Sequence, residues 1–173
     1  IVNSETIKII FIGSINLKEK SFDFLLAALT KINKKILLNV HSYHKQENEN
    51  LWIPPNVQLN LGNPLNEVGL RKEFCKNDLF VIPSRRDTFP LSLLEAMDTG
   101  ILFISSDRVG LTERFPESFN KFVVPFGNAE KLKDKILELH NLDYSKKNKL
   151  ADEIKNFASG FSWDKITNNY VRL

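Results

Sequence analysis

The sequence holds one cysteine, Cys75, so no intrachain disulfide can form and a disulfide-stapled miniprotein is excluded. A lone thiol suits a reducing, cytoplasmic setting. No apolar run approaches the roughly 20 residues needed to cross a bilayer. The N-terminus shows no basic-then-apolar leader. Glycine and proline supply only 7 residues each of 173, too few for a collagen-like or low-complexity chain. Charge of one sign is also scarce. Twenty-four basic against 21 acidic residues leave +3, which gives no argument for nucleic acid and leaves room for a phosphate or a membrane surface. What is present is 42% hydrophobic and 26% charged residues, the make-up of a soluble domain able to bury a core. At this length one α/β domain is expected, over residues 1–173.

Several segments read as strands. IKIIFIG (7–13) is nearly continuous in apolar character, as in a strand buried on both faces. ILLNVHS (36–42), NVQLNLG (56–62), DLFVIPS (78–84), ILFIS (101–105) and a short KFVVP follow. Helices are predicted between them. In FDFLLAALTKI, Phe24, Ala27 and Ala28 recur at helical spacing; further helices cover 65–76, 91–100, 129–140, 145–158 and 163–172, with a helical turn at LTERF. Gly100 is the stop signal of the 91–100 helix. HKQENEN (44–50) reads as a polar loop. Alternation of strands and helices predicts a parallel sheet with helices on both faces, and ligands of such sheets sit at the carboxyl ends of the strands. The informative loops are therefore 13–20, 41–50, 62–65 and 83–90.

In the first of these, GSINLKEK, Gly13 ends a strand and Lys20 precedes a helix. A P-loop is excluded because Glu19 stands where a glycine is required. Read alone, the loop gives a solvated lysine; a shared anion would give it a purpose, since a cation at a helix N-terminus opposes the dipole. The loop IPSRRDTFPLSLLEAM (82–97) says more. Pro90 suits the first helical position, and the N–H groups behind it can receive an anion. Glu95 is placed away from the Leu93–Met97 stripe, where a carboxylate could accept ribose hydroxyls. Asp87 could do the same for a sugar, or cap the turn. A capped helix with one surface glutamate accounts for the same spacing. His41 and His44 lack a third ligand and read as a polar loop, not a metal site. His140 is expected to meet a helix C-terminal dipole. The lysines at 131–135 and 146–149 are interleaved with other polar residues, as on a solvated helix face.

Residues 81–113, VIPSRRDTFPLSLLEAMDTGILFISSDRVGLTE, resemble the C-terminal signature of retaining glycosyltransferases of family 4, which have the GT-B fold. Pro83-Ser84, Asp87, Phe89-Pro90, Glu95-Ala96-Met97, Gly100 and Gly110 with Glu113 fall in register. Residues 11–29 resemble the family's opening strand–loop–helix, and 161–170 its closing segment. The fold this implies is α/β, a Rossmann-like parallel sheet forming one half of a GT-B fold. By position, the resemblance makes Lys20 and Asp87 catalytic: Lys20 on the diphosphate, Asp87 on donor-sugar hydroxyls. Glu95 would hold the ribose. Gly13, Ser14, Arg85, Thr88, Phe89, Pro90 and Leu91 would line the sugar and phosphates, and Asn63, Pro64 and Leu65 the base. The implied partners are a nucleotide-sugar donor, a UDP-sugar first, and a saccharide or lipid-linked saccharide acceptor, with peripheral contact at the cytoplasmic membrane face. No metal or other cofactor is expected.

Three departures stand out. Ser14 replaces the family's arginine, and Lys18, Arg85 or Arg86 is expected to supply the missing cation. Asp87 is one methylene shorter than the usual glutamate. The second strand ends in HSYHKQENEN, without the family's glycine-rich turn. The family is about twice this length, and the chain opens on IVNSET without methionine. It is therefore expected to be a donor-binding half, nearly inert without an N-terminal acceptor domain. Surface-polysaccharide assembly, O-antigen or capsule, is the setting the resemblance implies. A non-catalytic nucleotide-binding module of the same fold and a nucleotide-sugar epimerase stay open as alternatives.

Overall fold

The computed structural model describes residues 5–42 and 51–161. Strand β1 (Thr6–Ile12) leads to helix α1 (Phe22–Leu29), then β2 (Lys35–His41) and β3 (Val57–Gly62). Helix α2 (Glu67–Lys76), β4 (Leu79–Ile82), α3 (Leu91–Thr99) and β5 (Leu102–Ser106) come next. Two 3-10 turns, Gly110–Arg114 and Glu117–Phe122, precede the two-residue β6 (Val123–Val124). Then come α4 (Ala129–His140), α5 (Tyr144–Ala158) and a 3-10 turn at Ser159–Phe161. The expected helix at 163–172 and loop at 44–50 lie outside the described residues.

All strand pairs are parallel, in the order β3-β2-β1-β4-β5-β6. This is the parallel sheet that the alternation predicts, with the Rossmann-like form that the resemblance implies. Every residue of β4 and β5 is buried, which requires cover on both faces. Helix α1 packs with α4, and α3 packs between α2 and α5. The strand order reverses between β1 and β4, so the loops after these two strands flank the crevice where such sheets take ligands.

Local chemistry sets the element ends. Gly100 closes α3 in the left-handed conformation at φ 78°, the role predicted for it. Asn66 caps α2 by accepting from the Gly69 N–H at 2.9 Å. That cap starts α2 two residues later than the periodicity predicts and leaves Leu65 in the preceding loop. Pro90 also differs from expectation: it is the N-cap, at φ −70° and ψ 111°, and Leu91 is the first helical residue. Ala27, placed by spacing on the buried stripe of α1, is exposed; Leu25 and Leu29 hold that face.

Phenylalanines link the core to the crevice. Phe103 of β5 meets Phe115 at 5.6 Å between centroids, Phe115 meets Phe157 at 5.5 Å, and Phe157 meets Phe161 at 5.1 Å. Phe89, in the loop after β4, leans on Phe161 at 6.1 Å. The contacts are tilted or edge-on, as aromatic rings prefer.

Candidate functional site

Two loops meet at the β1/β4 switch point. Gly13 leaves β1 at φ 145°, a conformation side chains disfavour, and its N–H donates to the His41 carbonyl at 2.9 Å. A Cβ there would press at 3.3 Å on the Lys20 stem, so the bare glycine lets that side chain lie back across the sheet end. Ser21, left-handed at φ 52°, turns the chain into α1. Across the gap, the Arg85 N–H donates to the Glu19 carbonyl at 2.8 Å and ties the loop after β4 to the loop after β1.

That tie brings two predicted residues together. Lys20 Nζ lies 2.7 Å from Asp87 Oδ2, in a half-buried ion pair between residues 67 apart in sequence. Lys20 is therefore not the solvated lysine its own loop suggests, and the Asp87 carboxylate meets an ammonium rather than capping the turn. The Asp87 backbone is pinned separately. Its carbonyl accepts the Gly110 N–H at 2.8 Å, in a bridge beside Val109. A Cβ on Gly110 would stand 2.5 Å from the Thr88 carbonyl oxygen, so no other residue permits this approach. Sequence reading places Gly110 in a motif but not in this job.

Helix α3 follows Asp87 closely in the chain, with no side chain capping its N-terminus at Pro90. Its N–H groups form an anion-receptive end. Phe89 and Leu91 are exposed there. Glu95, one turn in, is half-buried, and burial pushes its carboxyl above the ordinary range; the negative charge of Glu67 on α2 adds to this. Glu67 follows the Asn63–Pro64–Leu65 loop, so the ribose candidate and the base candidates belong to adjoining parts of the fold. His41 joins them: its Nδ1 lies 3.0 Å from the Asn63 carbonyl.

Other predicted residues fall elsewhere. The Ser14 hydroxyl accepts the Asn16 N–H at 3.3 Å, within its own loop. The Arg85 guanidinium lies 5.5 Å from the Phe126 ring centre. With Lys18 it lines a cleft of about 650 Å³ beside Phe22, Leu26 and Trp52. His140 is buried at the end of α4, its Nδ1 3.9 Å from Asp78 Oδ2. His44 lies outside the described residues, and among those described no three His, Cys, Asp or Glu side chains are grouped as a metal would need.

The sequence profile of the family described as glycosyl transferases group 1 matches residues 6–141, a span that holds both loops, Glu95 and Gly110. The chain belongs to this family. It is 30% identical over 162 residues to an uncharacterized glycosyltransferase of Methanocaldococcus jannaschii, covering 90% of the chain and 44% of that protein. It is 28% identical over 184 residues to an uncharacterized 41.2 kDa protein in the cps region of Klebsiella pneumoniae, covering 99% and 47%. The chain thus spans about half the length of these curated relatives. Its fold matches an Anabaena protein crystallised with UDP-glucose at a TM-score of 0.68 and 18% identity, over 87% of this chain and 43% of that one. The six-stranded sheet is accordingly the Rossmann-like half of a GT-B arrangement.

Proposed function

We propose that this chain is the donor-binding half of a retaining glycosyltransferase that moves a sugar from a UDP-sugar to a saccharide acceptor. The observation that carries the reading is the Lys20–Asp87 ion pair, set at the switch point before the uncapped N-terminus of α3. Breaking a sugar–phosphate bond leaves negative charge on the departing diphosphate. A lysine and a helix N-terminus held in place beforehand stabilise that charge without reorganising during the reaction. Before donor binding, Asp87 holds Lys20 at the crevice. When the diphosphate arrives, Lys20 exchanges the carboxylate for phosphate oxygens, and Asp87 is released to accept hydroxyls of the sugar. Glu95 accepts the ribose hydroxyls, and the 63–65 loop meets the base. In this scheme the protein supplies the charge the leaving group needs, and no metal is required.

Two similarities support the donor and the setting. The Anabaena protein of like fold was crystallised with UDP-glucose, and the Klebsiella relative is encoded in a cps region. The acceptor proposed is a saccharide, free or lipid-linked, in surface-polysaccharide assembly, reached at the cytoplasmic membrane face. The contact proposed with that face is peripheral; no helix among the described residues is long and apolar enough to cross a membrane. Titration calorimetry of the 173-residue chain with UDP tests the donor site. Binding is expected, and Lys20→Ala should weaken it about tenfold or more, the loss of a charge-assisted contact. Equal affinity in the variant rejects the site.

A further inference from the structure

The β3 side of the sheet carries a polar network. Asn60 Nδ2 on β3 donates to Asn39 Oδ1 on β2 at 3.0 Å, and Asn39 Nδ2 donates to Asn77 Oδ1 at 2.8 Å. Asn77 Nδ2 donates to the Glu73 carbonyl of α2 at 2.8 Å. Two residues further along the same strands, and so on the same face, His41 stands directly opposite Gly62. A Cβ on residue 62 would lie 2.1 Å from His41 Cε1, so the imidazole fills the space a side chain there would need. From this seat Nδ1 donates to the Asn63 carbonyl at 3.0 Å, while Nε2 lies 3.9 Å from Glu73 Oε2. A carbonyl can only accept, which fixes a proton on Nδ1. The ring also lines a narrow cleft with Ile12, Ser42, Pro64, Leu65 and Leu70.

Asn63 and Pro64 are exposed, so packing alone holds them weakly. The His41 hydrogen bond gives the start of their loop a directional contact. We infer that His41 is a positioning residue for the nucleobase: it clamps the 63–65 connection in the conformation that meets the base, without touching the ligand. This rests on the donor reading above. A loop already held loses less freedom when a ligand docks, so the clamp contributes to affinity for the base that fits and not to affinity for the diphosphate common to all nucleotides. A merely structural contact would weaken every nucleotide alike.

The test is calorimetry of the 173-residue chain and its variants with UDP, GDP and ADP. The unaltered chain should prefer one of the three. His41→Ala should weaken that one about tenfold, a hydrogen bond's worth, and the other two less than about twofold. His41→Asn keeps an N–H donor near the position of Nδ1 and should restore most of the preference. Gly62→Ala should drive the ring out and reproduce the loss. With His41→Ala it should add nothing further, because the two act on one contact. If His41→Ala does not fold, the comparison of His41→Asn with Gly62→Ala decides the same question. Uniform losses across the three nucleotides, or an unchanged preference in both His41→Ala and Gly62→Ala, overturn the inference alone. So does an unaltered chain that binds all three equally, since its loop then reads no base. An unaltered chain that binds none of them overturns the donor reading, and the inference with it.

Discussion

At the scale of residues, the donor reading proposed above sets one carboxylate in competition with the ligand for one ammonium. Asp87 holds Lys20 at 2.7 Å, so in that reading a diphosphate must displace it. Asp87→Asn removes the rival charge and keeps the side-chain shape. UDP alone, which has no sugar for Asp87 to meet, should then bind several-fold tighter by calorimetry. Sugar transfer by a protein carrying this domain should fall by about 100-fold or more, as a contact to the reacting sugar is lost. Weaker UDP binding in Asp87→Asn would mean that the pair supports the site rather than masks it. Glu95 shows the opposite tension, between stability and function. Its carboxyl pKa is raised by burial first and by Glu67 second. A raised acid pKa means the folded state holds this proton more tightly than the unfolded chain does. The stability this brings is fully present below the unfolded pKa, near the ordinary glutamate value, and is lost as pH rises through the raised folded value. Glu95→Gln should therefore melt slightly higher than the native chain at pH 7, by about 1–2 °C. The gap should close below about pH 4, where both chains carry a neutral group. The same variant should bind UDP less well, and a lower melting point at pH 7 would refute the unfavourable charge.

Elements position these residues through a few close backbone approaches. The loop after β4 carries Asp87, and the turn beginning at Gly110 holds it by one hydrogen bond at a spot where a Cβ would meet a carbonyl oxygen at 2.5 Å. Gly110→Ala must push the two backbones apart, at a cost of about 1–3 kcal/mol. It should lower the melting temperature and UDP affinity together; a stable variant with native affinity would show that the bridge does not place Asp87. The difference between what periodicity reveals and what it hides follows from the range of the interactions. Buried runs such as LFVI and LFISS declare β4 and β5 because burial on both faces leaves no polar alternation, and Gly100 declares the end of α3 through its own backbone freedom. The motif marks Lys20 and Asp87 each as a candidate site residue, but it does not reveal their pairing. Nothing local to either loop encodes a partner 67 residues away. His41 reads as loop polarity in the sequence because its partner, Gly62, lies across a strand pair that only the register defines. Pro90 sits one residue from its expected place because its fixed φ suits an N-cap as well as a first turn. Periodicity alone carries α2 back to Leu65, because it takes no account of the cap that Asn66 forms.

For the whole molecule, the sheet order gathers every proposed donor contact at one edge. The loops after β1, β3 and β4 supply Lys20, the 63–65 segment and Asp87, and α3 contributes its N-terminus and Glu95. Within that edge the charge balance is specific. Lys20 and Asp87 cancel each other while paired, and the α3 terminus adds roughly half a positive charge. In the proposed scheme, once Lys20 turns to the diphosphate, the ligand meets a full cation and the helix end together, while Asp87 and Glu95 face hydroxyls. A divalent ion bridging the phosphates would place a third positive centre where Lys20 already acts, and hard cations of that kind draw on clustered oxygen ligands. In the scheme proposed, both carboxylates are committed to the donor's hydroxyls. UDP affinity of the chain should therefore agree within about twofold between excess EDTA and excess magnesium. It should fall with added salt, because part of it is attraction between the diphosphate and a half-buried lysine. Lys20→Ala should flatten that salt dependence. If magnesium instead raised UDP affinity about tenfold, and Lys20→Ala left the salt dependence intact, the charge would be coming from a bound cation and the leaving-group role of Lys20 would fail.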